Sequence, residues 1–251
     1  SDGWLLEQLA DAEEYQPRGR TVGVIAGAGG AGGTTFACAL AEFAARRCRS
    51  ALLDLDPLGP GVDMVLGTDA LEGMRWESLA QSTGRISARS FRESLPHRGR
   101  LGVLSWGKRR TLVPFAAREA FSAAARGHDL VVLDLPRRLD DLGDELAARC
   151  QHLLVVVRAD VAGVSSAGRL LERLRATGPV SLVVRGAGIE ADSIARTLQA
   201  PLAAAMADQR GLTESIDLGL GPMRSRRCTL AKAARDTLAH LDESVAARQA
   251  A

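Results

Sequence analysis

Apolar runs of strand length alternate along this chain with segments whose apolar positions recur every ~3.6 residues. A run such as Leu130-Val131-Val132-Leu133 has no polar face, which is typical of a strand buried on both sides of a parallel sheet. The predicted strands are Thr21–Ala26, Ala51–Asp54, Leu101–Ser105, Leu130–Asp134, Leu153–Val157 and Val180–Val184. The predicted helices are Thr34–Arg47, Pro114–Arg126, Leu139–Arg149, Ser165–Ala176, Asp192–Leu198 and Leu230–Ala247. We therefore predict a three-layer α/β fold, in which helices cover both faces of a doubly wound, mostly parallel sheet of about seven strands.

Two further segments complete the predicted organisation. Trp4–Glu14 has the pattern of an amphipathic helix, and residues 1–18 are predicted to be an N-terminal helix or linker left from a removed domain, since the chain begins at Ser1 rather than Met. Residues 19–251 are predicted to form one domain, with short helices and loops in Gly67–Arg100. The last helix is expected to cover the sheet; the alternative, a membrane-surface helix, is disfavoured because its polar face carries acids.

Composition narrows the class of protein. The chain is 46% hydrophobic and 25% charged, with a net charge of +2, which is ordinary for a globular domain and disfavours a protein that mainly coats nucleic acid. Its four cysteines form no CxxC pair and have no histidine at metal-ligand spacing, so we predict a reduced, cytosolic protein. No apolar run approaches the ~18 residues of a membrane span, which leaves peripheral membrane association at most.

A glycine-rich segment, Gly27 to Thr35, follows the first predicted strand and precedes a helix. Five of the seven residues from Gly27 to Gly33 are glycine, which lets the backbone approach an anion at the helix N-terminus. The glycines fit two kinds of site. One is the dinucleotide pattern G-x-G-x-x-G, with Asp54 at 22 residues after Gly32 as the ribose-binding acid; the other is the phosphate loop G-x-x-x-x-G-K-[ST].

Residues elsewhere favour the phosphate loop. Thr34 and Thr35 supply two hydroxyls at the helix start, where a magnesium-bound triphosphate needs them. Asp54 and Asp134 end two predicted strands, and an acid at the end of a strand beside the loop commonly holds magnesium through water. A dinucleotide-binding oxidoreductase remains a distant alternative, because no substrate domain or proton-transfer pair is evident.

The chain resembles the MinD/ParA group of deviant phosphate-loop ATPases over essentially its whole length. The residues that carry the resemblance are the loop Ala28–Thr35 against K-G-G-x-G-K-[ST]-[ST], the segment Asp54–Gly67, the strand His128–Pro136 and the segment Thr213–Pro222. Within the group it is most similar to CpaE/TadZ-like proteins, in particular the actinobacterial septum site-determining (Ssd) branch, through Gly73–Trp76, Val103–Ser105 and Asp134–Asp141.

The resemblance implies a role for each matching residue. Backbone amides of the loop would hold phosphate, through Gly27, Ala28, Gly29, Gly30, Ala31, Gly32, Gly33, Thr34 and Thr35. Thr34 would ligate Mg²⁺ and Thr35 would contact the α-phosphate, while Asp54 and Asp134 would orient the metal and its waters. Asp56 would align the attacking water if hydrolysis occurs.

Two positions depart from the family pattern. Ala28 replaces the signature lysine, which in the family reaches nucleotide across a dimer interface, and Gly33 replaces the loop lysine that neutralises β/γ charge. Arg185 stands near the place of the family's adenine-contacting asparagine, and Arg137 is a candidate substitute cation, although a solvated loop arginine is the simpler interpretation. We therefore predict weak ATP or ADP binding, with Mg²⁺, and little or no hydrolysis.

The predicted function is that of a regulatory or localisation protein. The resemblance implies septum placement or Tad-type pilus positioning, protein partners from the division or pilus machinery, a homodimer, and recruitment to the pole or septum. Alternatives are a genuine slow ATPase that uses atypical residues and a ParA-like module that binds DNA non-specifically. DNA is not the expected partner, because the basic clusters are short: Arg46–Arg49, Lys108–Arg110 and Arg224–Arg227.

Overall fold

The structure is a computed structural model that describes residues 19–80, 84–107 and 114–249. The predicted helix Trp4–Glu14 and the basic cluster Lys108–Arg110 lie outside these residues. The strands are β1 Arg20–Ala26, β2 Ser50–Asp54, β3 His97–Arg98, β4 Leu101–Leu104, β5 Leu130–Leu135, β6 His152–Arg158, β7 Val180–Arg185 and β8 Leu202–Met206. The helices are α1 Gly33–Ala44, α2 Val62–Leu66, α3 Trp76–Leu79, α4 Ala88–Ser94, α5 Pro114–Gly127, α6 Asp141–Ala148, α7 Val161–Leu174, α8 Ala191–Leu198, α9 Leu212–Asp217 and α10 Thr229–Gln249.

The described strands form one sheet in the order β3-β4-β2-β5-β1-β6-β7-β8. Every neighbouring pair is parallel except the short β3–β4 pair at one edge. Apolar side chains pack on both faces: α5, α6, α7 and α8 cover one, and α1, α2 and α10 cover the other. The predicted three-layer, doubly wound α/β fold is therefore confirmed.

The C-terminal helix α10 packs on the sheet side as predicted. Leu230, Ala234 and Leu241 are buried in the same core as the Ala-rich helix α1. The small side chains of α1 let it lie close to β1, and Phe36 and Leu40 fill the remaining space. This close packing fixes the N-terminus of α1, and with it the glycine-rich loop, over the centre of the sheet.

The differences from the predicted elements have local causes. Helix α7 begins at Val161 rather than Ser165, because Asp160 caps it by accepting a hydrogen bond from the Gly163 amide at 2.7 Å. Asp140 does the same for α6, which begins at Asp141 rather than Leu139. Strand β8 was not predicted, since its alanine-rich sequence has low strand propensity.

Candidate functional site

The glycine-rich loop connects β1 to α1 at the carboxyl ends of the central strands. Gly30 and Gly32 have φ of 72° and 95°, conformations that favour glycine. The amide of Gly27 donates to the carbonyl of Val156 at 2.9 Å, which ties the start of the loop to β6. No side chain caps the N-terminus of α1, and its first turn carries no acid. The helix end is therefore arranged to receive an anion.

Asp54 and Asp134 lie side by side at the ends of β2 and β5, where they are register partners. Asp54 is 1% exposed, and its carboxyl oxygens accept hydrogen bonds from the amides of Asp56 at 3.1 Å and Val62 at 3.0 Å. Burial raises the pKa of Asp54 to about 6, although these two amides oppose the shift. The first predicted acid is thus held rigidly by the β2–α2 connection.

Asp134 has the less satisfied carboxyl group of the pair. It is 2% exposed, it accepts a hydrogen bond from the Thr34 side chain, and its Oδ2 atom is buried without a hydrogen-bond partner among the described residues. Burial, followed by the nearby charge of Asp54, raises the pKa of Asp134 well above its usual range. A cation at this point would relieve both the unpartnered oxygen and the repulsion between the two acids.

These residues suit Mg²⁺ better than a metal held by protein alone. No cluster of three or more His, Cys, Asp or Glu side chains with metal-ligand geometry occurs in the described part of the chain. Mg²⁺ typically keeps several waters and takes only one or two protein ligands together with substrate phosphates. The Thr34 hydroxyl and the two buried carboxyls therefore fit a magnesium ion that arrives with a phosphate ligand.

Asp56 faces a different space from Asp54. Its Oδ1 accepts a hydrogen bond from the amide of Leu58 at 3.0 Å, and the residue is half-buried. It lines a cavity of ≈ 320 Å³, mostly apolar, between the β2–α2 and β5–α6 connections. The structure thus places Asp56 beside the two buried acids but on the open side of the site.

Arg137 reaches the loop through one intermediate side chain. Its Nη2 donates to the Ser166 hydroxyl at 2.8 Å, and that hydroxyl donates to the carbonyl of Gly27 at 2.7 Å. Arg137 and Arg138 are both exposed, and both line the apolar cavity. Arg137 is therefore directed toward the start of the loop, and it is not simply surrounded by solvent.

Arg185 holds the opposite side of the loop. Its Nη1 donates to the carbonyls of Gly30 at 3.3 Å and Ala31 at 3.4 Å, while its Nε donates to Asp208 at 2.7 Å. A Cβ added to Gly32 would lie 3.1 Å from the same Nη1 atom. We call this set of contacts the Arg185 clamp; it joins the loop to the ends of β7 and β8.

The clamp also fills the space where the resemblance implies an adenine base. The cavity lined by Thr35, Arg185 and Met206 measures only ≈ 20 Å³, which is room for about one water molecule and far too little for a base. A base could enter here only after Arg185 moves away.

The two positions without lysine differ in the space around them. Ala28 is half-buried at the outer side of the loop. Gly33 is buried, and a Cβ there would lie 3.0 Å from the amide nitrogen and 3.1 Å from the Cβ of Ala26. A lysine at position 33 would therefore require a shift of a few tenths of an ångström in β1 or α1.

The chain is similar in sequence to a mycobacterial protein. It is 36% identical over 256 residues to the uncharacterized protein Rv3660c of Mycobacterium tuberculosis strain H37Rv, a match that covers 98% of this chain and 72% of that protein. The chain belongs to the family of that protein. The uncharacterized protein MT3760 of strain CDC 1551 matches to the same extent. No protein-family model matches the chain.

Solved structures show which fold this family has. The MinC:MinD cell division protein complex of Aquifex aeolicus matches with a TM-score of 0.75 at 17% identity, covering 89% of this chain and 96% of that one. MinD of Pyrococcus horikoshii complexed with Mg-ADP gives 0.75 at 15% identity, covering 90% and 97%. A ParA family ATPase of Chlorobium tepidum gives 0.75 at 16% identity, covering 86% and 97%. The fold is that of the MinD/ParA phosphate-loop ATPases.

Several residues that shape the site were not found from the sequence. They act through other side chains, and they are Ser166, Asp208 and Ser105. Ser105, for example, donates a hydrogen bond to Asp63 at 2.8 Å and lies 3.4 Å from Asp54 Oδ2. Ser166 is a polar residue on the otherwise apolar, buried face of α7. A polar residue at such a position is the feature of the sequence from which its role could have been predicted.

The two basic clusters that fall within the described residues are partly paired with acids. Arg49 lies 3.6 Å from Asp129, and Arg224 lies 3.3 Å from Glu214. Among the described helices, none has the length and apolar character needed to cross a membrane.

Proposed function

We propose that this chain is a regulatory or localisation protein that binds ATP or ADP with Mg²⁺ weakly and hydrolyses it slowly or not at all. One observation carries the proposal. The magnesium side of the site is present in Thr34, Asp54 and Asp134, whereas the two lysine positions hold Ala28 and Gly33.

The magnesium side supports binding. Bound Mg²⁺ would neutralise phosphate charge. The Thr34 hydroxyl would ligate it, and Asp54 and Asp134 would orient its waters, which explains two acids buried next to each other without a counter-charge between them. Amides from Gly29 to Thr34 would hold the β-phosphate, and Thr35 would contact the α-phosphate.

The missing cations argue against efficient hydrolysis. Phosphoryl transfer depends on positioning and charge stabilisation, and a single cation that stabilises the transition state is worth ~10³–10⁵ in rate. Asp56 could still align a water, but neither Ala28 nor Gly33 can supply positive charge. The nucleotide would then act as a ligand that changes the conformation of the protein, rather than as a source of free energy through hydrolysis.

The cellular role follows from the resemblance to CpaE/TadZ-like and Ssd proteins. We propose that the chain acts in the cytoplasm, at the pole or division site, through protein partners of septum placement or Tad-type pilus assembly. The similarity in fold to MinD, which one structure shows in complex with MinC, supports a protein partner of this kind.

Calorimetric titration with ATP, ADP and NADH, each with and without Mg²⁺, tests the proposal. We expect heat from ATP and ADP that depends on Mg²⁺, and none from NADH. Asp134→Asn should remove the dependence on Mg²⁺, whereas the exposed Asp192→Asn on α8 should leave it unchanged. If none of the three ligands gives heat of binding, nucleotide binding is disproved. Heat from NADH alone would indicate a dinucleotide site.

A slow ATPase is the second candidate, and the position of Arg137 favours it. The Arg137–Ser166–Gly27 contacts bring a guanidinium to the start of the loop, where it could replace one lysine. Phosphate release clearly above background, lost in Arg137→Ala and retained in Arg138→Ala, would establish this activity. Unchanged ATP affinity in Arg137→Ala would rule out a role for Arg137.

A further inference from the structure

Exposed apolar side chains gather where α2 and α9 lie side by side. Met64 is 54% exposed and Leu71 is 43% exposed, while Leu218 and Leu220 are 61% and 48% exposed. They are four of the seven large hydrophobic side chains that are exposed in the described part of the chain. We call these four residues the α2–α9 patch. Single exposed leucines are ordinary, whereas several on adjoining segments are typical of an interaction surface.

The two segments that carry the patch are in backbone contact. Gly67 has a φ of 67°, and a Cβ at this position would overlap the carbonyl oxygen of Gly219. Arg98 of β3 spans the junction, because its Nη1 donates to the carbonyl of Leu66 and its Nη2 donates to the carbonyl of Leu220 at 2.8 Å. The patch is therefore built on a junction whose two sides are tied to the edge of the sheet.

The segment after α9 has a paired backbone even though its side chains are exposed. The amide of Leu218 donates to the carbonyl of Glu214 at 3.0 Å, and the amide of Leu220 donates to the carbonyl of Ser215 at 2.9 Å. These bonds fix where the two leucine side chains start. A surface that is already formed loses less conformational freedom when it binds a partner.

The charged residues that adjoin the patch along the chain are all acidic. Residues 62–73 contain three acids, residues 213–223 contain two, and neither segment contains Lys, Arg or His. Asp69 and Glu72 are exposed near Leu71 in the sequence, and Asp217 is exposed directly before Leu218. None of these three carboxylates forms a salt bridge among the described residues. The apolar patch is thus accompanied by unpaired negative charge.

The arginines that approach the patch do not pair with these three carboxylates. Nη2 of Arg75 donates to the backbone carbonyls of Asp69 at 3.4 Å and Leu71 at 3.0 Å. Arg98 is engaged with the two carbonyls at the junction. Arg224 pairs with the other exposed acid of α9 at 3.3 Å. The three remaining acids are therefore available to a positively charged ligand.

We propose that the α2–α9 patch binds a basic, amphipathic segment of a partner protein. Apolar side chains of the partner would cover the patch, and its Lys or Arg side chains would pair with Asp69, Glu72 and Asp217. An anionic lipid surface fits less well, because it would meet the same acids. A second copy of this chain fits less well too, since a two-fold axis would bring identical acidic surfaces together. None of the residues of the patch is among those proposed to bind nucleotide, so the two proposals are independent.

A synthetic peptide of Leu and Lys is the probe for this surface. It is about 14 residues long, carries all its leucines on one face of a helix, and has a fluorescent label. The control peptide has Glu in place of each Lys. Fluorescence anisotropy with the full chain should show binding of the Leu/Lys peptide, weakened by salt, and much weaker binding of the Leu/Glu peptide. Equal binding of the two peptides would overturn the assignment of a basic partner.

A benzophenone group in the middle of the Leu/Lys peptide locates the contact by photo-cross-linking. Benzophenone reacts readily with methionine, and the chain has four methionines. Met64 is exposed, Met74 is half-buried, and Met206 and Met223 are buried. We expect cross-links at Met64 and in residues 217–221, mapped by mass spectrometry. Cross-links confined to other parts of the chain would overturn the proposal.

Substitutions then measure the contribution of each part of the surface. Leu71→Ser and Leu218→Ser should each weaken binding of the Leu/Lys peptide at least about fivefold, as expected for anchor residues, and Asp217→Asn should reduce the salt dependence. Val161→Ser is the control, because Val161 is a 78% exposed side chain on α7. All four side chains are exposed, so the fold should persist, and thermal unfolding checks this.

The same variants separate the other possible occupants. Equal affinity for the peptide in all of them would refute the surface. Binding to vesicles of anionic lipid that is lost in Leu218→Ser would assign the patch to a membrane and overturn the proposal. Self-association in sedimentation that is lost in the same variant would assign it to a second copy of the chain, with the same consequence.

Discussion

Individual residues determine how this site responds to protons. Asp54 and Asp134 are buried carboxyls whose pKa values are raised mainly by burial, so the folded state holds protons that the unfolded state has lost. Their favourable contribution to folding is fully present below the unfolded pKa, near 3.8, and is lost as the pH rises through the folded value, about 6 for Asp54. Mg²⁺ prefers the ionised carboxyls, so its binding should strengthen over the same range.

We expect Asp54 alone to lower the free energy of unfolding by about 2 kcal/mol between pH 4 and pH 7. Its pKa is raised by about two units, each unit is worth 1.36 kcal/mol, and the unfolded carboxyl is already partly ionised at pH 4. Urea unfolding at several pH values checks this. The slope of the free energy of unfolding against pH is compared between the wild type and Asp54→Asn. The part of the slope that is due to Asp54 should be absent from the variant. Identical slopes in the two proteins would show that Asp54 does not titrate in this range.

Gly33 allows a matched test of the missing loop cation. Gly33→Ala adds only the Cβ, which meets Ala26 at 3.0 to 3.1 Å, so it should cost about 1 kcal/mol of stability and leave ATP affinity as it is. Gly33→Lys adds the same Cβ with a charge, and we expect at least about tenfold tighter Mg-ATP binding. Calorimetry and thermal unfolding give both values. If the two variants bind ATP equally, charge at this position does not limit affinity.

At the scale of elements, the Arg185 clamp links the ends of β7 and β8 to the loop. The guanidinium binds two loop carbonyls while Asp208 holds it in place. The same side chain fills the implied base position. The clamp therefore ties the loop to the strand ends, and we expect it to oppose the entry of a base at the implied position.

We expect Arg185→Ala to speed hydrogen exchange at the Ala31 amide by at least about tenfold, because the loop loses two contacts and opens more often. In this variant the base of ATP could also contribute to binding. The affinity for ATP should therefore rise relative to the affinity for pyrophosphate. Arg158→Ala is the control, since Arg158 ends the neighbouring strand and pairs with Asp160 rather than with the loop. Unchanged exchange at Ala31 would argue against the clamp.

The sequence was informative about elements wherever one strong local signal existed. The central strands were predicted within a residue or two because they are continuous apolar runs, and Asp54 and Asp134 were predicted as a pair because both end such runs. β8 was not predicted because three of its five residues are alanine. β3 was not predicted because a strand of two residues shows no periodicity. In both cases pairing with the neighbouring strand, and not local propensity, makes the strand.

The site was less predictable than the fold. The contact from Arg137 to Ser166 spans 29 residues and that from Arg185 to Asp208 spans 23, and both depend on how far long side chains reach across strand ends. Neither follows from spacing along the chain. The sequence predicted where phosphate chemistry would lie, whereas the contacts that hold the loop became clear only from the packed structure.

At the scale of the whole molecule, nucleotide and assembly should be uncoupled. In the family that this chain resembles, the lysine at the position of Ala28 reaches nucleotide across a dimer interface. With alanine there, we expect Mg-ATP to leave the sedimentation coefficient of the 26.5 kDa chain unchanged. The comparison is Ala28→Lys, in which the side chain is restored. A shift to a dimer when Mg-ATP is added to the wild type would contradict this expectation.

The strand order also determines when the site can form during synthesis. β1 carries the loop and β2 carries Asp54, yet they are not neighbours, because β5 lies between them and pairs with both. Leu130 is the register partner of both Arg20 and Ser50, so neither residue can pair in its native register before Leu130 has been synthesised. A nascent chain that has not yet reached β5 therefore exposes two apolar strand edges with no native partner, which is the condition that invites chaperone binding. Insertion of β5 joins β1 to β2 and brings Asp134 beside Asp54 in the same step, so the ability to bind Mg²⁺ with phosphate would report that these three strands have assembled.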